Sequence, residues 1–210
     1  MRQSVYELAS EQRRLPRSFR LLRSAIGLAD ECAREMVACL DTPDLAATGD
    51  RIERVEDERR ALAAAVEDYL HGELLSPIDP ADLHGLSASI ALLTHRTARA
   101  LYFFSLLGNR PAVGDLRSLS RLLADSTAEL VGGVEDLAGG RTRAISTRVR
   151  SVRRFRDESH VHVGKVLAIE ATTEDRDVLL WRTVGETIDN ASAQALVVAA
   201  ETARVATKHD

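Results

Sequence analysis

Glu53, Glu56, Asp57 and Glu58 crowd one stretch of strong helical character. On a helix, residues three and four apart are neighbours, so Glu53, Glu56 and Asp57 would share a face. Glu56 also falls at the edge of the apolar stripe set by Ile52, Val55 and Leu62. Carboxylates in that position can ligate a hard cation, which makes Glu56 and Asp57 the candidate metal ligands. The plainer reading is an acidic face neutralised by Arg59 and Arg60.

A second cluster is basic. Arg141, Arg143, Arg148, Arg150, Arg153, Arg154 and Arg156 lie within sixteen residues. Arg143, Arg150 and Arg154 share one helical face and form a candidate anion-binding surface for phosphate or acidic headgroups, set against a simply solvated face. Arg156 differs, because its angular position lies in the apolar stripe between Val152 and Ser159. An arginine aimed into a bundle needs a partner.

Other chemistry is missing. There is no GxxxxGK[ST] or GxGxxG loop, no HExxH and no Glu-x-x-His. His160 and His162 would stand about 200° apart on a helix and cannot chelate one metal together. His84 and His95, eleven apart, could share a face, and both pairs read most simply as solvated side chains. Cys32 and Cys39 lie two turns apart on one expected helix, about 10 Å between α-carbons, too far for a disulfide.

These residues must be positioned by helices. Apolar residues recur at steps of three and four along nearly the whole chain. Phe19, Leu22, Ile26, Ala29, Ala33, Val37 and Leu40 line a first helix, ended by Asp41-Thr42-Pro43-Asp44. Ile52, Val55, Leu62, Val66 and Tyr69 mark a second, stopping near Gly72. Asp79 is an N-cap candidate before Pro80, opening a third with Leu83, Leu86, Ile90, Leu93, Leu101 and Phe104. Gly108-Asn109-Arg110-Pro111 closes it.

The plan then repeats. Leu116, Leu119, Leu123, Leu130, Val134 and Leu137 mark a fourth helix. Ile145, Val149, Val152, Ser159, Val163 and Val166 mark a fifth. Leu180, Val184, Ile188, Ala191, Ala195 and Val198 mark a sixth. The glycine pairs at 132–133 and 139–140 read as helix interruption and termination. Arg54-Val55-Glu56-Asp57-Glu58 in the second helix matches Arg154-Phe155-Arg156-Asp157-Glu158 in the fifth, consistent with an internal duplication.

Bulk composition agrees with an all-α reading. The 210 residues are 45% hydrophobic and 29% charged, with only 4% aromatics, so Leu, Val, Ile and Ala must fill the core. A net charge of −4 gives no general attraction to nucleic acid. The first 22 residues lack an apolar core of signal-peptide type, and no stretch approaches the ~18 apolar residues that would suggest a membrane span. A cytoplasmic protein is expected.

The segment from Ile52 to Glu58, with Ser76-Pro77-Ile78-Asp79-Pro80-Ala81-Asp82-Leu83-His84-Gly85-Leu86 after it, resembles the PhoU-like phosphate-transport regulators. It is most similar to accessory proteins of low-affinity inorganic phosphate transporters. The region from Glu174 to Glu201, with Trp181 opening the last helix, is similar to their C-terminal helix. The resemblance implies a tandem three-helix bundle, often oligomeric, at the cytoplasmic side of a phosphate transport system. It also implies metal binding through Glu-x-x-x-Asp motifs, from which this chain departs. The position four after Glu56 is Arg60, the matching pair in the second half is Arg156 and His160, and paired aspartates of the third helix read Ala91 and Leu92, followed by His95.

The reading is therefore an all-α, six-helix tandem bundle. An N-terminal segment, 1–16, partly flexible, precedes one domain, 17–210, made of repeats 17–108 and 112–208. Glu56, Arg60 and Arg156 form a candidate buried charge set in which guanidinium replaces metal, leaving no cofactor, with a transition metal as the competing possibility. The expected role is non-enzymatic and regulatory, with a membrane phosphate transporter or its regulatory protein as partner. Peripheral membrane association and homo-oligomers are also expected, and nucleic acid is not. The alternative is a helical scaffold or ligand-binding bundle that kept the fold and lost the phosphate role.

Overall fold

The computed structural model describes residues 15–40, 45–72, 77–107, 114–168 and 175–208. The N-terminal segment 1–14 and the turns at Asp41–Asp44 and Gly108–Pro111 lie outside the described residues. Among the described residues six helices follow one another: α1 (Arg17–Ala38), α2 (Leu45–Gly72), α3 (Pro80–Ser105), α4 (Gly114–Ala138), α5 (Thr142–Leu167) and α6 (Asp175–Lys208). Among the described residues there is no strand.

Local chemistry fixes several ends. The Asp79 carboxylate accepts from the Ala81 backbone N–H at 2.8 Å with Pro80 at the first helical position, as the sequence predicts. The C-terminus of α4 closes on Gly140, whose φ of 63° is open to glycine at little cost. Gly140 N–H donates to the Leu137 carbonyl at 3.1 Å and Arg141 N–H to the Asp136 carbonyl at 2.8 Å, a Schellman closure.

The other glycine pair behaves differently from expectation. Gly132 and Gly133 sit inside α4 and do not interrupt it. A methyl at Gly132 would meet the Arg148 guanidinium, so this glycine leaves room for a side chain arriving from α5 in its present position. The sequence shows the glycine and cannot show the arginine above it.

Helices α1, α2 and α3 pack mutually, as do α4, α5 and α6. The halves join through α1 on α4 and α3 on α6. These are the like-with-like contacts expected when a duplicated unit packs against its copy. The core forms two clusters, one around Met36, Leu101, Leu119, Val184 and Ile188, the other around Leu22, Ile26, Leu86, Ile90 and Val198. Each draws side chains from all six helices, so neither half has a core of its own. Cys32 and Cys39 are free and buried, and burial pushes the Cys32 thiol up to about 12.

Candidate functional site

The acidic motif lies where α2 meets α3. Glu56 is half-buried, and its Oε2 accepts from Arg59 Nη2 at 2.9 Å and Nε at 3.0 Å. His95 Nδ1 on α3 faces Glu56 Oε1 at 3.1 Å. Burial is the largest single influence on this carboxyl and acts to raise it. Hydrogen bonds from Arg59 and His95 outweigh that, and hold it below the usual carboxylate range. The neighbouring pairs fasten α2 to α1: Arg51 reaches Glu31 at 3.0 Å and Arg54 contacts the same carboxylate, while Arg54 also pairs with Glu58 within α2.

Asp57 does not join Glu56. It pairs with Arg60 at 2.7 Å, and both side chains are exposed. Arg60 is therefore not the buried partner that the sequence suggests. Adjacent positions on a helix point about 100° apart, and Arg59 is the one on the Glu56 side.

Arg156 also differs in partner. It projects from α5 toward α6, where Nη1 and Nη2 donate to Asp189 Oδ1 and Oδ2 at 2.5 and 3.2 Å. The expected set of Glu56, Arg60 and Arg156 is thus three separate groups: Glu56 with Arg59 and His95, Arg60 with Asp57, and Arg156 with Asp189. Arg156 is 18% exposed and Asp189 23%, so the demand for a partner read from the apolar stripe was met, by a residue with no sequence signal of its own.

The donors present do not fit a transition-metal cluster of the kind the resemblance implies. Glu56 is already neutralised by a guanidinium, Asp57 faces away, and Ala91 and Leu92 supply no ligand. Among the described residues no group of three or more His, Cys, Asp or Glu side chains converges as a metal set would.

Arg143, Arg150 and Arg154 are exposed along α5, as one face. Arg154 lies over the Phe155 ring at 5.1 Å, and Arg150 donates to Thr147 Oγ1 at 3.2 Å. The arginine run divides here, because Arg141 and Arg148 turn toward Asp136 on α4. They donate to Asp136 at 2.7 and 2.6 Å, and Arg148 also reaches Glu129 at 2.8 Å. Asp136 is buried, which acts most strongly to raise its carboxyl. Arg148 and then Arg141 overcome that and hold it below the usual range.

A second unforeseen cluster joins the start of α3 to the end of α6. Asp82, in the first turn of α3, is buried and accepts from Lys208 Nζ at 2.9 Å and Arg204 Nη1 at 2.7 Å. These contacts, Lys208 first, lower its carboxyl. His162 Nδ1 on α5 meets Asp115 on α4 at 2.6 Å, while His160 is exposed, so the His-x-His pair is split as helical geometry requires.

With six helices in two like-packed sets, the fold can be compared with solved ones. A crystal structure of a PhoU-like protein from Shewanella oneidensis superposes with a TM-score of 0.70, covering 91% of this chain and 99% of that one. The fold is PhoU-like. A second structure, of a PhoU-like phosphate regulatory protein from the same organism, superposes with a TM-score of 0.69 over 91% and 99% of the two chains. Sequence identity is 13% to each, so the superpositions show a PhoU-like architecture and nothing about the side chains of the site. No family model matches the sequence. No curated protein matches it either. Among the described residues no helix is long and apolar enough to cross a membrane.

Proposed function

We propose that this chain is a non-enzymatic regulatory or accessory protein acting at the cytoplasmic face of a phosphate transport system. The observation that carries the reading is the PhoU-like architecture, shared over nearly the whole length with a PhoU-like phosphate regulatory protein. The resemblance of Ile52–Glu58 and Ser76–Leu86 to accessory proteins of low-affinity phosphate transporters points the same way.

In this reading the protein works without a metal cofactor. Arg59 beside Glu56, and Arg156 beside Asp189, supply as fixed guanidinium charges what a cation would supply between acidic helices. The exposed Arg143, Arg150 and Arg154 face is then the surface for acidic groups, either on the transporter's cytoplasmic loops or at the membrane. Self-association of the bundle is part of the same proposal.

Isolation of the protein from detergent-solubilised membranes of its own source tests the partner. Recovery of a phosphate transporter, weakened when Arg143, Arg150 and Arg154 are changed to Gln, is expected. Recovery of none, from cells expressing that transporter, would favour the helical scaffold that has lost the phosphate role.

A further inference from the structure

A polar groove of about 340 Å³ lies between α3 and α6, lined by Arg96, Arg99, Thr183, Glu186, Thr187 and Asn190. Arg204 and Lys208 at the end of α6 bind Asp82 at the start of α3, so the two helices run antiparallel and their opposed faces form the walls. Arg96 and Arg99 stand one turn apart on α3. On α6 the residues 183, 186, 187 and 190 follow at steps of three and four, so they also share a face.

The α3 wall is a donor wall. Arg96 is anchored by one bond, Nη1 to the Asn190 carbonyl at 3.2 Å. Arg99 lies against the Phe103 ring at 5.7 Å. Neither guanidinium has a carboxylate within ion-pair distance among the described residues, whereas Arg23, Arg59, Arg148 and Arg156 each do. Two positioned cations with spare N–H donors are suited to a phosphate group.

The α6 wall has the opposite character. Thr183 donates its hydroxyl proton to the Leu179 carbonyl at 2.9 Å, and Thr187 donates to Thr183 and Val184 carbonyls at 3.0 and 2.9 Å. Their oxygens therefore offer lone pairs. Glu186 is exposed, has no ion-pair partner among the described residues, and can only accept. Such a wall repels a bare phosphate and attracts hydroxyl groups. The groove also has room for more than one phosphate, at the lower end of the range that holds small organic ligands, about 300–1,000 Å³.

We propose that this groove binds a small hydroxylated phosphate ester, its phosphate held by Arg96 and Arg99 and its hydroxyls by Glu186, Thr183, Thr187 and Asn190. This goes beyond the phosphate-transport reading and does not depend on it, since binding is measured on the purified chain alone.

Calorimetric titration with ribose 5-phosphate, ribose and inorganic phosphate separates the possibilities. Saturable binding of ribose 5-phosphate is expected, with inorganic phosphate and ribose each weaker by about tenfold or more, a difference of about 1.4 kcal/mol. Arg99→Gln, at an exposed position outside the core, should weaken the ester and inorganic phosphate together by about tenfold. Glu186→Gln should weaken only the ester. Far-ultraviolet dichroism confirms that both variants keep their helices. Absence of saturable ribose 5-phosphate binding overturns the proposal. So does binding that Arg99→Gln leaves unchanged, or an ester that binds no better than inorganic phosphate and is indifferent to Glu186→Gln.

Discussion

Arg156 on α5 and Asp189 on α6 meet through two N–H···O contacts at 2.5 and 3.2 Å, bridging the same helices of the second half that Glu56 and His95 bridge in the first. Arg156 matches Glu56 in the duplicated fragments, so the base and the acid have changed sides. In the first half the acid comes from the second helix of the unit, and in the second half from the third. An interhelical bridge of either polarity can hold this seam. Arg156→Ala is expected to destabilise the protein by about 1–4 kcal/mol by leaving Asp189 unpaired, as measured by urea unfolding. The double change Arg156→Ala with Asp189→Ala should cost less than the sum of the single ones. Strict additivity would show that the pair carries no coupling.

The two glycines inside α4 should respond oppositely to alanine. Alanine is favoured over glycine in a helix by about 1 kcal/mol. At Gly133 an added methyl would make only ordinary contact with Thr202, so Gly133→Ala should stabilise by about 0.5–1 kcal/mol. At Gly132 it would occupy the place of the Arg148 guanidinium, which holds Asp136 and Glu129. Gly132→Ala should forfeit that gain and lose about 1 kcal/mol or more. Thermal melts of the two variants side by side decide it, and equal stabilisation would remove the stated role of Gly132.

Asp136 should make stability acid-sensitive. Its carboxyl is held below its ordinary value in the folded protein, so it contributes stability that is fully present above the unfolded pKa, about 3.9. That contribution fades as pH falls through the lower folded value. Asp136→Asn should therefore cost about 1–3 kcal/mol at neutral pH, and the gap to the parent protein should close below about pH 4. A gap that stayed constant down to pH 3 would mean that charge at Asp136 is not what holds Arg141 and Arg148.

The fold was legible because helix-period stripes carry it. Leu116, Leu119, Leu123 and the other marked stripe positions of the fourth helix are all buried, and Asp79 with Pro80 opens the third helix as local chemistry requires. The site was legible only in part. Angular position along one helix said that Arg156 needed a partner. The choice of Asp189 depends on how α5 packs on α6, which no spacing within either helix encodes. A spacing of four points from Glu56 to Arg60, whereas the carboxylate meets Arg59 at a spacing of three. Asp136 and Asp82 gave no warning, since each draws its cations across a packing interface or a closing turn.

The proposal that guanidinium charge replaces a metal is directly measurable. Plasma mass spectrometry of untagged protein, purified without added metal, should find no stoichiometric iron or zinc. One metal per chain would mean that Glu56 exchanges Arg59 for a cation, and would return the motif to metal-dependent behaviour.

The proposed regulatory role is tested most directly by phosphate uptake in the source cell, measured with radiolabelled phosphate at scarce and abundant phosphate, with the coding sequence deleted and then restored. Uptake altered by deletion in at least one of these conditions, and returned to the parental rate by the intact chain, is the expected result. Uptake unchanged at every phosphate level would contradict a role in phosphate transport and leave the chain as a PhoU-like bundle put to another use.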